Sequence, residues 1–260
     1  DFKAKYFEVR INKNSQLPVN DLLFPQQWGL FNQEQIIETH GVGGDKKTTL
    51  GKKNVDINWK GQIDSIEKKL KKVPVVAVVD MCIDFEHPDL KHAIFKNEKE
   101  CDSKLEIQIE MIDRDKNKLP NDCHGWNFAA TSQEAQNYPF DDKGHGTHVS
   151  GIIAAKRDND DGISGVSDKI KILPIRVTGH VDEDSEEKEK LLIKSPARRI
   201  ANGIFYAITM GVDVINLSLG WPKSMDTKFM RQTIAEAIKK NIIVVAAAGN
   251  DNSTASTYPC

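Results

Sequence analysis

The chain has 260 residues, 39% hydrophobic and 28% charged, and its 36 basic and 38 acidic side chains leave a net charge of −2. That is enough apolar material for the core of one large domain or two small ones. The near-neutral balance argues against a general nucleic-acid binder, which carries a basic excess, and the longest apolar run, residues 242–249, is far too short to cross a bilayer.

The chain opens on Asp1-Phe2-Lys3-Ala4-Lys5, with neither a Met nor an apolar leader, and so reads as a piece of a longer one. Residues 1–20 read as an upstream tail or pro-region linker, with a short strand near 7–11; residues 21–260 read as the folded domain. An aromatic-rich arm follows at 21–31, then a Gly- and Lys-rich stretch at 40–60 that reads as loop. Ile63, Ile66 and Leu70 fall at helical spacing.

Residues 73–79 are a continuous, largely β-branched apolar run, the pattern of a strand buried on both faces. Residues 169–177, 212–217 and 242–248 are three further strand candidates. Helical stretches are predicted at 148–155, 196–210 and 226–240, the second with Pro196 just inside its start, where a missing N–H does no harm. Buried strands alternating with helices predict an α/β domain with a mainly parallel sheet. Residues 98–122 and 181–190 look inserted. The second carries Asp182, Glu183, Asp184, Glu186, Glu187 and Glu189 and reads as a solvated loop. The four cysteines, Cys82, Cys101, Cys123 and Cys260, form no CxxC pair; a Cys101–Cys123 bridge and four reduced thiols both suit the spacing.

In parallel sheets reactive groups gather at the carboxyl ends of strands. Asp80 directly follows the first apolar run, and a semi-buried carboxylate there needs a donor. The candidate is His145, set between Gly144 and Gly146 at the head of a predicted helix, as suits an accessible general base. A metal site on His145, His148, Asp141 and Asp142 is the rival, but no HExxH pattern completes it. The fourth strand runs into Ala248-Gly249-Asn250, where the Asn amide is a neutral donor able to stabilise an oxyanion. No GxGxxG follows the first strand, which sets aside a dinucleotide-binding domain.

Taken together, VVDMCIDFEHPDL, GHGTHVSGIIAA, VINLSLG and VVAAAGN resemble, in that order, the motifs of the subtilisin-like serine protease family, and QQWGLFN resembles its lead-in. The resemblance covers roughly residues 22–260. It implies a three-layer α/β fold with a mainly parallel central sheet flanked by helices, and a serine endopeptidase acting on polypeptides. Asp80 would orient His145, His145 would move the serine proton, and Asn250 would bind the oxyanion. Ser218, Leu219 and Gly220 would pair with an extended substrate, with Val177, Thr178 and Gly179 as the opposite wall. It also implies a structural calcium ion, with Asp89, Asp158 and Asp160 as ligands, and a secreted or periplasmic setting. No organic cofactor, nucleic acid or membrane is implied.

Two departures from the family stand out. Its nucleophile lies in a GTSMA-type segment downstream of the Asn motif; this sequence ends ten residues after Asn250, and neither Ser150, Ser218 nor the serines at 251–260 match that segment. The expectation is a fragment lacking its carboxy-terminal part, working with a complementary piece or associating with its own pro-region. An inactive peptide-binding relative is the alternative. Where the family has Gly two residues after the aspartate, this chain has Cys82. A positive φ there would strain it, and a thiol beside the site predicts inhibition by thiol reagents.

Overall fold

The structure, a computed structural model, describes residues 17–40, 46–101, 112–130, 137, 141, 144–178, 195–250 and 257–259. The strand predicted near 7–11, the acidic run at 182–189, Gly179, Asp142 and Cys260 lie outside them. The chain divides into two compact units, residues 1–72 with 151–168, and residues 73–150 with 169–260.

In the first unit β1 (Ile36–His40) and β2 (Lys46–Leu50) pair antiparallel, with Ile36 opposite Leu50 and His40 opposite Lys46. The sequence reading had loop across β2. Lys46-Lys47-Thr48-Thr49 carries no apolar alternation, so the periodicity that marks a half-buried strand is missing. Helix α1 (Trp59–Glu67) begins earlier than the Ile63–Leu70 spacing suggested, and places Trp59 in a small core with Val19, Phe24 and Leu30. The Trp59 indole N–H donates to Val166 O at 2.7 Å, so its polar end is satisfied. Arg157 lies 5.7 Å from the Trp59 ring and pairs with Glu67 at 2.6 Å and Asp168 at 2.8 Å.

The second unit is built on a five-stranded sheet in the order β4-β5-β3-β6-β7, its neighbours all parallel. The strands are β3 (Val75–Asp80), β4 (Trp126–Asn127), β5 (Lys171–Arg176), β6 (Val214–Leu217) and β7 (Ile243–Ala246). Central β3 is buried from Val76 to Asp80, as its apolar run requires. β7 is the edge strand among the described residues, with Ile243 and Val245 exposed. Helix α2 (His145–Ala154) starts three residues earlier than predicted. Helices α3 (Pro196–Thr209) and α4 (Lys228–Lys239) share one apolar cluster with β3, β5 and β6. Thr227 caps α4, its side chain accepting the Met230 N–H.

The segment around 98–122, read as an insertion, turns two carboxylates inward among its described residues. Glu100 and Asp122 are fully buried. Glu100 accepts the backbone N–H groups of Arg114, Asp115 and Asn121. Asp122 accepts from Asn97 Nδ2 at 2.7 Å, Asn117 Nδ2 at 2.8 Å and the Tyr206 hydroxyl at 2.7 Å. Buried carboxylates are tolerated where donors meet them. A Cys101–Cys123 disulfide links the segment's flanks, and among the described residues Cys82 is left as a free, buried thiol.

Burial raises the Asp122 carboxyl to about 6, outweighing its three hydrogen bonds. The folded state therefore binds this proton more tightly than the unfolded state. The stability it contributes is present below the unfolded value of 3.8 and is lost as pH rises through about 6. The expected result is that wild type loses up to about 3 kcal/mol relative to Asp122→Asn between about pH 4 and pH 7. Denaturant melts of the two proteins across that range check it, and a constant difference would refute it.

Candidate active site

Asp80 is the last residue of β3. From β3 the chain goes to one side for β5 and returns on the other for β6, so the sheet has its topological switch point here. Because β5, β3, β6 and β7 run parallel, their carboxyl ends lie along the same edge. That edge collects Asp80, Val177–Thr178, Ser218–Gly220 and, four residues past β7, Asn250.

Asp80 is buried and His145, the first residue of α2, is half exposed. His145 Nδ1 stands 2.7 Å from Asp80 Oδ1, which also accepts the Met81 N–H at 2.7 Å. Asp80 Oδ2 is buried with no hydrogen-bond partner. A carboxylate facing Nδ1 selects the tautomer with its proton there, which leaves Nε2 as the acceptor. That is the arrangement a general base needs.

The two segments approach closely. A Cβ on Gly146 would lie 1.8 Å from Cys82 O, so only glycine fits this turn of α2. Cys82 has φ 92°, the positive value that the sequence reading identified as a source of strain. The thiol, however, is fully buried, and burial pushes its pKa well up. This corrects the expectation of ready inhibition by thiol reagents, because the reactive thiolate is suppressed and inaccessible. Iodoacetamide is expected to label Cys82 in the native protein at least about 10³-fold more slowly than in denaturant, since exposure requires opening of the core. Mass spectrometry of labelled peptides measures both rates; comparable rates would disprove the burial argument.

Of the predicted substrate-binding residues, Ser218, Leu219 and Gly220 follow β6. The Ser218 hydroxyl accepts from Asn216 Nδ2 at 2.9 Å, and Leu219 packs against the core. Trp221 exchanges both backbone hydrogen bonds with Tyr258 at 2.9 Å. On the other wall Val177 is fully buried and its N–H donates to Asp80 O, so Thr178 is the half-exposed member. Asn250 is exposed and follows Gly249, whose φ is 93°.

Among the described residues, which do not include Asp142, the rival metal arrangement does not assemble. His145 is engaged with Asp80, and Asp141 accepts from Gly144 N, Thr147 N and the Thr147 hydroxyl. Among the described residues, the groups with metal-ligand proximity are Cys101, Cys123 and His124, and Glu100, Asp113 and Asp115. The first contains the disulfide sulfurs, which are not available as thiolate ligands. Of the predicted calcium ligands, Asp158 and Asp160 belong to the first unit and Asp89 to the second. Asp158 and Asp160 have left-handed φ of 57° and 58°, and Asp158 accepts the Asn20 N–H. Asp21, which the sequence reading passed over, is buried and accepts the Asn159 N–H and the Ser164 hydroxyl. Asp141, weighed only as a metal ligand, was likewise missed as a cap; the signal was its position three residues before Gly144.

The Subtilase family model matches residues 71–260. The cell wall-associated protease of Bacillus subtilis (strain 168) is 32% identical over 240 residues, which cover 92% of this chain and 20% of that protein. Thermitase of Thermoactinomyces vulgaris is 37% identical over 135 residues, 52% of this chain and 42% of that protein. The chain thus spans less than half the length of these relatives. A protease structure from Pseudoalteromonas arctica superposes with a TM-score of 0.53 at 24% identity, covering 93% of this chain and 62% of the other, a likeness of fold. With the match running from residue 71 through the Asp80 strand and the His145 helix to Asn250, this chain belongs to the subtilase family of serine peptidases and has its mainly parallel α/β fold.

Proposed function

We propose that the protein is a serine endopeptidase in which Asp80 and His145 form two members of an Asp-His-Ser triad, the serine being supplied by residues beyond Cys260. The observation that carries this reading is the 2.7 Å hydrogen bond between the buried Asp80 carboxylate and His145 Nδ1 at the carboxyl edge of the sheet. His145 Nε2 takes the serine proton as the hydroxyl oxygen bonds to the scissile carbonyl carbon and the C=O electron pair moves onto oxygen. The Asn250 amide donates to that oxyanion, and Asp80 stabilises the imidazolium. The proton then passes to the leaving amine as the C–N bond breaks, and water repeats the sequence on the acyl-enzyme. Ser218, Leu219 and Gly220 pair with an extended peptide, and Val177, Thr178 and Gly179 form the facing wall.

The test is intact mass of the native protein after treatment with a fluorophosphonate. The expected result is one labelled serine outside residues 1–260, with labelling abolished by His145→Ala. No labelled serine would overturn the reading.

An exported location fits both the disulfide, which persists in oxidising compartments, and a cell wall-associated relative. Calcium is proposed as a structural ion only. The oxygen donors of Asp158 and Asp160, on one loop of the first unit, suit a hard cation, which would hold that loop and take no part in the chemistry. Chelation is expected to lower Tm by several degrees, with calcium and not magnesium restoring it; a Tm indifferent to chelator would remove the ion.

A further inference from the structure

We propose that Asp141 is a positioning residue for His145: through Thr147 its carboxylate ties the head of α2 to the loop after β3, and so holds the imidazole in the orientation that meets Asp80. The inference deepens the proposed function and rests on its assignment of the Asp80–His145 pair.

The His145 side chain is half exposed, so packing alone does not set its orientation. What sets it is the backbone from which it projects. The first N–H groups of a helix have no intrahelical acceptor, and Asp141 supplies one on both sides of His145. Its Oδ1 accepts the Gly144 N–H at 2.8 Å, and its Oδ2 accepts the Thr147 N–H at 2.9 Å. A carboxylate at this end of a helix is also favoured by the helix dipole.

The second half of the brace runs through Thr147. Its hydroxyl has one proton, and at 2.6 Å that proton goes to Asp141 Oδ2. The lone pairs of Oγ1 are thereby left for the Asp84 N–H, 2.9 Å away. Asp84 lies four residues beyond Asp80 on the same loop. The carboxylate therefore sets the direction of a hydroxyl, which fixes the loop leaving β3, and the segment bearing Asp80 is registered against the segment bearing His145. The close approach of Gly146 to Cys82 O allows little slack in that register. Asp141 is itself buried, so its charge is tolerated because these donors meet it.

The test uses the intact protein with ¹⁵N-labelled histidine. Wild type is expected to show His145 as a single tautomer, with a slowly exchanging low-field proton on Nδ1. Asp141→Ala and Thr147→Val, the second isosteric but lacking the hydroxyl, are expected to populate both tautomers and lose that proton to exchange. Amide resonances of β3 and β5 should stay in place. Thr147→Ser, which keeps the hydroxyl, should retain the wild-type signature. In peptide hydrolysis both disruptive variants should lower kcat by up to about 10²-fold with KM nearly unchanged. Variants that keep the single tautomer and the proton overturn the inference. Should Asp141→Ala fail to fold, the contrast between Thr147→Val and Thr147→Ser decides it. A wild-type protein with no low-field proton overturns the Asp80–His145 assignment itself, and the positioning role with it.

Discussion

If Asp80 serves the proposed triad, replacing it by Asn is expected to lower kcat for peptide hydrolysis by roughly 10⁴, the magnitude known for amidating the carboxylate of a Ser-His-Asp triad. The substitution is nearly isosteric, so the fold should survive. What changes is the group facing His145 Nδ1 at 2.7 Å. An amide can turn its N–H toward that nitrogen, and the imidazole then carries its proton on Nε2, where the serine needs an acceptor. The base is present but in the wrong tautomer. The effect should therefore fall on kcat, with KM and Tm close to wild type. Steady-state kinetics with a peptide substrate, alongside a thermal melt, measure all three. Activity within tenfold of wild type would mean that Asp80 caps the end of β3 and does not serve the histidine.

Gly146→Ala is expected to destabilise the protein by roughly 3 kcal/mol and to separate Asp80 from His145 in whatever still folds. The new Cβ would sit 1.8 Å from Cys82 O and 2.9 Å from Cys82 C. Both are backbone atoms, so no rotamer change relieves the overlap. Either α2 or the loop after β3 must move, and these are the two segments that bring the pair together. Gly144→Ala is the control. It meets no atom within 4 Å, but its φ of 81° disfavours a side chain, so a loss of only about 1 kcal/mol is expected. Denaturant melts of both variants check the ranking; Gly146 itself has no positive φ, so equal losses would show that the two segments part readily to admit the methyl group and that close approach does not require glycine at 146.

At β3 and α3, where burial is dictated by apolar residues, the sequence reading and the structure agree. The run at 73–79 became central β3, and Pro196 opens α3 as its fixed φ suits. Where polar groups decide, they part. β2 is a strand of Lys and Thr with no apolar alternation to reveal it. Helix α2 begins at His145 because the Asp141 carboxylate caps it, a contact that depends on where the chain turns back. Glu100 and Asp122 look like solvated charge until Asn97, Asn117, Tyr206 and three backbone amides are brought around them.

The same division holds at the site. Residue type made Asp80, His145 and Asn250 candidates, and the resemblance of their motifs, in order, to the subtilisin-like family is what gave each of them a role. The motif marked Cys82 as a position where a positive φ would strain the chain, and its φ is 92°. That the Cys82 thiol is sealed from solvent was not, nor that Asp80 reaches His145 through one oxygen. Nor could the sequence show that Thr147 links Asp141 to Asp84. A sequence states which groups must leave water and which can give or take a proton. Which donor meets which acceptor across 63 or 65 residues of chain is settled only when the sheet brings β3 and the head of α2 together, because hydrogen bonds act over about 3 Å and have no signature in local periodicity.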